Sequence, residues 1–545
     1  MKLFPKFLIP AIFLLILPLS ANSQKDVPGI ETITSSDLES HVSFLASPLL
    51  KGRMNGSAEI EIAAKYIAVQ ARLIGLKPGN GDSYLQPYTV VEKLIDPEKT
   101  RVTIIRGNDS TRITQPMFQL LPQGPADFTI DGEVVFAGYG LRNDKYDYND
   151  FNGITAEGKI LLIMNQGPSS EDGKEFIFEG QDWSSFQNVE AKLSTLIYSR
   201  AKGILVVMDP KSGFKSFDEQ YPGISAQLSS TLTLSGEKPV FFDFPGMPRI
   251  IFIHRVVADK LLEDTGYSLE ELQRKIDAER KPHSFIISDR TISIKEVSMT
   301  REKVLHNVVA LCEGRDNTLK NEFIVYSGHY DHIGEQGGSV NPGADDDASG
   351  CAALLSIAEA FQNLDQKPLR SVLFLWASGE EIGLYGSKSY VKNPVVPLKN
   401  TVANLNMDMI GREKSAADST DDTPMTGPET VFVITGNQSR ELISIADEID
   451  KKSRLDFDYS LSGRNHPLQL FRRSDHFNFV KNDIPVLFFT TGLHSDYHSA
   501  GDVIEKLNFR KMELITKTMY EIGFTIANKK QRLTVDNPYS TWEKK

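Results

Sequence analysis

The amino-acid sequence predicts an α/β fold built on a mixed, mostly parallel sheet flanked by helices. Two observations carry that expectation. After residue 306, strand-length apolar runs at 323–327, 371–377, 401–406 and 486–490 alternate with segments of helical periodicity. Such alternation marks a parallel sheet whose crossovers are helices. Each run is also followed by a cluster of acids or histidines, on the edge where open α/β sheets place their sites.

The rest of the composition narrows the class. At roughly 150 residues per domain, 545 residues suggest three to four domains. With 40% hydrophobic and 24% charged residues, disorder, collagen and coiled coil are excluded for the bulk of the chain. Two cysteines exclude a disulfide-dense scaffold and a Cys-rich zinc module. A net charge of −12 argues against a nucleic-acid binder, which needs a basic face.

Taken in order, residues 1–23 read as a signal peptide. Lys2 and Lys6 flank an apolar run at 7–19, and small residues follow it. The run is shorter than the ~20 residues of a membrane span. The expected location is therefore exported, periplasmic or secreted, with no membrane association after cleavage. Residues 24–100 read as helical. Ser36 and Glu39 fit a capping box ahead of the stripe Leu38, Val42 and Leu45. A second helix is expected over 57–74, closed by Gly75, and residues 49–53 read as a loop between them. Residues 101–300 change to short β-rich runs, including 132–137, 159–164 and 203–208, and hold no cluster of His, Cys or paired acids. They read as an inserted accessory domain. Residues 301–530 carry the strand–helix alternation, and 531–545 form a tail.

The chemistry-bearing residues fall in that fourth segment. Run 323–327 leads into Gly328, His329, Tyr330 and Asp331, and run 371–377 into Glu380 and Glu381. The run through Asn406 ends at Asp408, and the last run leads to His494, Tyr497 and His498. Asp345, Asp346 and Asp347 precede a helix marked by Leu354, Ile357, Ala358 and Phe361. Six of the ten histidines (329, 332, 466, 476, 494 and 498) lie in this stretch. Without thiolates, such donors suit Zn²⁺, Mn²⁺ or Co²⁺. His329 and Asp331 stand at i and i+2 of an extended segment, so Asp331 can support the imidazole from behind. Adjacent Glu380 and Glu381 point in different directions. Spacing leaves open which ligates and which addresses a bound water.

The strings at 328–332, 343–350, 378–387, 406–411 and 497–499 closely resemble the co-catalytic zinc aminopeptidase family. That family includes bacterial leucyl aminopeptidases, glutamate carboxypeptidase II and, more distantly, glutaminyl cyclase. The resemblance covers about residues 30–100 and 300–525. The middle block resembles, on weaker motifs, a protease-associated domain. By resemblance the fold is phosphorylase/hydrolase-like, and two Zn²⁺ per chain are bridged by Asp345. His329 and Asp408 would complete one ion's ligands, and Glu381 and His498 the other's. Glu380 would be the general base, Asp331 the carboxylate behind His329, and the Asp345–Asp346 peptide would be cis. Tyr497, Asp475 and His476 would lie near the substrate. The implied activity is removal of N-terminal residues from peptides.

Three other readings compete. A carboxypeptidase would use Arg464, Arg472 and Arg473 as a carboxylate clamp. A glutaminyl cyclase would need one zinc, whereas all the residues of a paired site are present. A non-catalytic relative would have lost ligands, and none is missing.

Overall fold

The computed structural model describes residues 27–545, except 121–126, 174, 179–185, 222–229, 238–246, 337, 416–423 and 543–545. The expected signal segment lies outside the described residues. Among the described residues no helix is long and apolar enough to cross a membrane.

The chain enters through two helices. Helix α1 (Ser35–Leu45) buries Leu38, Val42 and Leu45, the expected stripe. Its cap is Thr34, whose side chain accepts from the Asp37 N–H, so the expected box at Ser36 and Glu39 is not formed. Thr34 holds the extended backbone of a cap residue, while Ser36 already lies within the first turn. Helix α2 (Ala58–Ile74) follows expectation: Ser57 caps the Ile60 N–H, and Gly75, at φ 90°, closes it.

The main sheet is assembled around four parallel strands. Its long strands are β1 (Leu85–Ile95), β2 (Ser230–Leu234), β3 (Ser298–Cys312), β4 (Phe323–His329), β5 (Ser371–Ala377) and β6 (Thr401–Met407). The remainder are β7 (Thr430–Ile434), β8 (Asp456–Asp458) and β9 (Val486–Thr490). Their order across the sheet is β2-β1-β3-β5-β4-β6-β9-β7-β8, with the short strand Lys77–Pro78 paired to β3. Strands β5, β4, β6 and β9 run parallel, while β3, β1 and β2 extend one flank antiparallel. The sheet is therefore mixed, parallel where the polar clusters emerge and antiparallel at the flank.

All seven residues of β4, of β5 and of β6 are buried. Continuous apolar runs rather than alternation are what two covered faces require. One face is covered by α1, α2, α3 (Gly350–Gln362) and α6 (Phe509–Asn528). The other packs against α4 (Tyr385–Lys392), α5 (His476–Val480) and the turn Leu470–Arg472. Cys312 and Cys351 are free and buried in the first of these cores, as small apolar side chains.

Residues between Arg101 and Glu296 form a second, eight-stranded sheet with its own cores on both faces. It too has a parallel centre: Phe128–Phe136, Ile160–Met164, Gly203–Val207 and Arg249–Ile253 lie side by side. Strand β2 leaves this block and pairs with β1 at the edge of the main sheet. The two sheets are thus tied by backbone hydrogen bonds as well as by chain connections.

Candidate metal and active site

Four strand ends converge on one point. His329 is the last residue of β4, Asp408 follows β6, Glu380 and Glu381 follow β5, and His498 lies in the loop after β9. Parallel strands place their carboxyl ends on one edge, so residues 169 positions apart in sequence, from His329 to His498, become neighbours. The fifth contribution is the bend at 344–349 that leads into α3.

The donors sort into two groups, in each of which the ligand atoms lie within 4.8 Å of one another. One holds His332, Asp346, Glu381 and His498, and the other His329, Asp347 and Asp408. Asp346 stands between them. Its Oδ1 is 3.2 Å from His329 Nε2, and its Oδ2 is 3.2 Å from His498 Nε2. Asp408 Oδ1 is 3.5 Å from His329 Nε2, and Glu381 Oε2 is 3.0 Å from His498 Nε2. Asp347 is already committed: Oδ2 accepts the His329 N–H, and Oδ1 accepts the Gly350 and Met409 N–H groups.

The expected register of the triple aspartate is corrected by one residue. Asp345 belongs to neither group. It faces away, accepting the Gly411 N–H at Oδ1, with Oδ2 3.5 Å from His494 Nε2. The cis peptide lies at Asp346–Asp347, not at Asp345–Asp346. The backbone explains the switch. The bend at 344–349 is not a regular helix, since Asp346 and Asp347 leave helical φ/ψ, and neighbouring carboxylates therefore point in different directions. Asp502 fixes the bend by accepting the N–H groups of both Asp345 and Asp346.

Asp331 sits behind His329, with Oδ1 3.6 Å and its backbone oxygen 3.1 Å from Nδ1. Its carboxylate also accepts the N–H groups of Glu380 and Glu381 and the Asn55 side chain. Asp331 thus meets the imidazole through its backbone oxygen and the acidic pair through its carboxylate. Tyr497 stacks on the His498 ring at 3.8 Å, and its hydroxyl accepts from Arg473 at 3.4 Å. The cleft between these groups is lined by Asp346, Glu380, Asp408, Leu470, Arg473 and Tyr497. Asp475 is buried behind it, and burial pushes its carboxyl up to about 7. His476 is not on the cleft. Its ring stacks on Phe488 and its Nε2 meets the Phe471 carbonyl, a packed core position.

Charge separates the two adjacent glutamates. Burial raises the Glu380 carboxyl well above the ordinary range, with Glu381 and Asp408 adding to it. Burial would raise Glu381 too, but His498 and His332 hold it down to about 2. Burial and charge thus favour the protonated form of Glu380 and the ionised form of Glu381. Asp346 is likewise kept well below the usual carboxylate range by His329, His332 and His498 against the effect of burial.

Two residues stand out that sequence spacing did not single out. His332, three positions after His329, places Nδ1 2.7 Å from Glu381 Oε1. Arg53 is fully buried in the loop between α1 and α2. Its guanidinium donates to the carbonyls of Leu45, Tyr330, Pro342, Gly343 and Asp346. His332 closes the string at 328–332 without a role assigned to it, and Arg53 carried no signal beyond its place in the loop at 49–53.

The donor set suits zinc. His329 Nε2, His498 Nε2 and Asp408 Oδ1 are buried and make no hydrogen bond among the described residues, and His329 Nε2 and Asp408 Oδ1 lie 3.5 Å apart. Residues 307–523 match the model of Peptidase family M28. The matched segment is 217 of the 545 residues. Among similar proteins, leucine aminopeptidase 2 of Trichophyton equinum is 26% identical over 43% of the chain and 47% of its own length. A probable leucine aminopeptidase 2 of Aspergillus oryzae is 29% identical over 42% and 46%. The chain spans about half the length of these curated relatives. Two solved structures share the fold along nearly their whole length. An aminopeptidase from Aneurinibacillus sp. strain AM-1 has a TM-score of 0.50 at 18% identity, covering 93% of this chain and 97% of that one. A zinc aminopeptidase from Bacillus subtilis has a TM-score of 0.50 at 19% identity, covering 92% and 97%.

Proposed function

We propose that the protein is an exported zinc-dependent aminopeptidase that removes N-terminal residues from peptides. The observation that carries this reading is Asp346, whose two carboxylate oxygens face two separate groups of imidazole and carboxylate donors. Asp346 would be shared between two zinc ions. His329 and Asp408 would hold one, and Glu381 and His498 the other, with His332 against Glu381. Paired zinc would polarise the scissile carbonyl and acidify a water at neutral pH.

The chain's own residues do the rest. Glu380, whose side chain lines the cleft, takes a proton from the attacking water and returns it to the leaving amine. Asp331 keeps the His329 ring in one orientation and holds the backbone of Glu380 and Glu381 in place. Tyr497, braced by His498 and Arg473, presents its hydroxyl to the cleft, where it can donate to a developing oxyanion. A cleft this rich in carboxylates attracts a free α-ammonium group, which supports cleavage at the N-terminus. The signal-like segment at 1–23 supports export, and residues 101–300 are assigned as an accessory domain on the peptidase.

The test is a panel of aminoacyl-p-nitroanilides, N-blocked analogues and C-terminal substrates, with and without chelator. Cleavage of free N-terminal substrates, abolished by chelator and restored by zinc, is expected. Equal rates on N-blocked substrates would defeat the reading.

A further inference from the structure

A second cavity, of about 1010 Å³, is lined by Arg464, His466, Arg472 and Lys481 together with Tyr539 and Trp542. The remaining lining residues are neutral. Four basic side chains around one space, with no carboxylate on its walls among the described residues, stand out in a chain of net charge −12. Among the described residues, Arg464, Arg472 and Lys481 make no ion pair; aromatic rings hold them instead. The Arg464 guanidinium lies 3.5 Å from the centre of the Trp542 ring, and Arg472 and Lys481 lie 5.9 and 5.0 Å from that of Phe477. An aromatic face holds a cation without neutralising it, and leaves the N–H donors for a ligand.

Position relates this cavity to the metal cleft. Leu470 and Arg473 line the cleft with Asp346, Glu380 and Asp408, whereas Arg472, between them in sequence, lines the basic cavity. Neighbouring residues of one turn, Leu470–Arg472, and its cap Arg473 thus line the acidic cleft and the basic cavity. A free peptide has the same layout of charge: an ammonium at its N-terminus and carboxylates further along. Arginine and lysine clustered on an open concave surface are a general means of recognising carboxylates.

We propose that the basic cavity binds carboxylates of the peptide downstream of its N-terminus, so that acidic peptides are preferred to neutral, amidated ones. This rests on the aminopeptidase reading, and the experiment separates the two. Binding is measured by calorimetric titration of the zinc-loaded protein with N-acetyl-Gly-Gly-Asp-Asp and with its Asn-Asn amide counterpart. Neither has a free N-terminus, so turnover is not required. In parallel, kcat/KM is compared for Leu-Gly-Gly-Asp-Asp and Leu-Gly-Gly-Asn-Asn-amide. The expected result is at least tenfold tighter binding of the acidic blocked peptide and a kcat/KM ratio above ten. Both preferences should fall toward one in the R464Q/R472Q variant and at least threefold in K481Q, with circular dichroism confirming the fold of each. No charge preference in the unmodified protein, or a preference that persists in both variants, overturns the proposal. So does inorganic phosphate binding as tightly as the acidic peptide. If charge-dependent binding is found but no peptide is cleaved, the cavity stands and the aminopeptidase reading falls.

Discussion

Replacing Arg53 by Met should disturb the metal site more than any other change outside the ligands. The side chain is fully buried, and burial lowers its affinity for a proton, yet no carboxylate lies in hydrogen-bond contact with it. Its five hydrogen bonds instead run to the carbonyl of Leu45 at 2.5 Å, Tyr330 at 2.8 Å, Pro342 at 2.6 Å, Gly343 at 3.0 Å and Asp346 at 3.4 Å. Those carbonyls belong to the end of α1, the segment after β4 and the bend that carries the aspartates. Met keeps most of the apolar stem and removes every donor. Each buried carbonyl left unpaired costs roughly 1–3 kcal/mol, while removing a buried charge returns several kcal/mol of desolvation. The balance is a loss of about 3–5 kcal/mol. Urea unfolding followed by circular dichroism would read it, and atomic emission would show zinc per chain falling as the bend loosens. A loss below ~1 kcal/mol with unchanged zinc would refute the argument.

Three further outcomes are expected. Glu380→Gln should keep its zinc and lower kcat by about 10²–10⁴, the usual contribution of a general base; an active, zinc-replete variant would remove Glu380 from that role. Asp346→Asn should lose zinc under dialysis that leaves Asp345→Asn loaded, and the opposite ranking would restore the register expected from the sequence. In the second sheet, burial pushes the Asp150 carboxyl up from 3.8 to about 6 despite hydrogen bonds from Tyr148, Tyr139 and Leu141. A carboxyl raised in the folded state stabilises fully below its unfolded value, and that contribution is lost as pH rises through the folded value. Between pH 4 and 7 the unmodified protein should therefore lose about 2 kcal/mol relative to Asp150→Asn. Parallel stability curves for the two proteins would contradict this.

Much of the main sheet was legible because β4, β5, β6 and β9 are buried on both faces and so appear as unbroken apolar runs. The polar cluster after each run was legible for a related reason, as the carboxyl edge of a parallel sheet leaves room for little else. The second sheet was less so. Its strands at 160–164 and 203–207 were visible, but its parallel centre and the departure of β2 to the other sheet depend on pairing between distant segments. The cap at Thr34 in place of Ser36 turned on one residue's backbone conformation, which two nearby hydroxyl side chains do not distinguish.

What the sequence by itself determined is the inventory and its order: two histidines, the acids and the strands that end at them. Only the tertiary structure decided how they are shared out. Three consecutive aspartates are equivalent as letters, and the bend at 344–349 sends one to His494, one to the two donor groups and one to backbone N–H groups. Arg53 and His332 gain their partners in the same way, through segments that meet only when the sheet has formed. Side-chain chemistry is local, but the direction in which a carboxylate points is set by a backbone that distant residues hold.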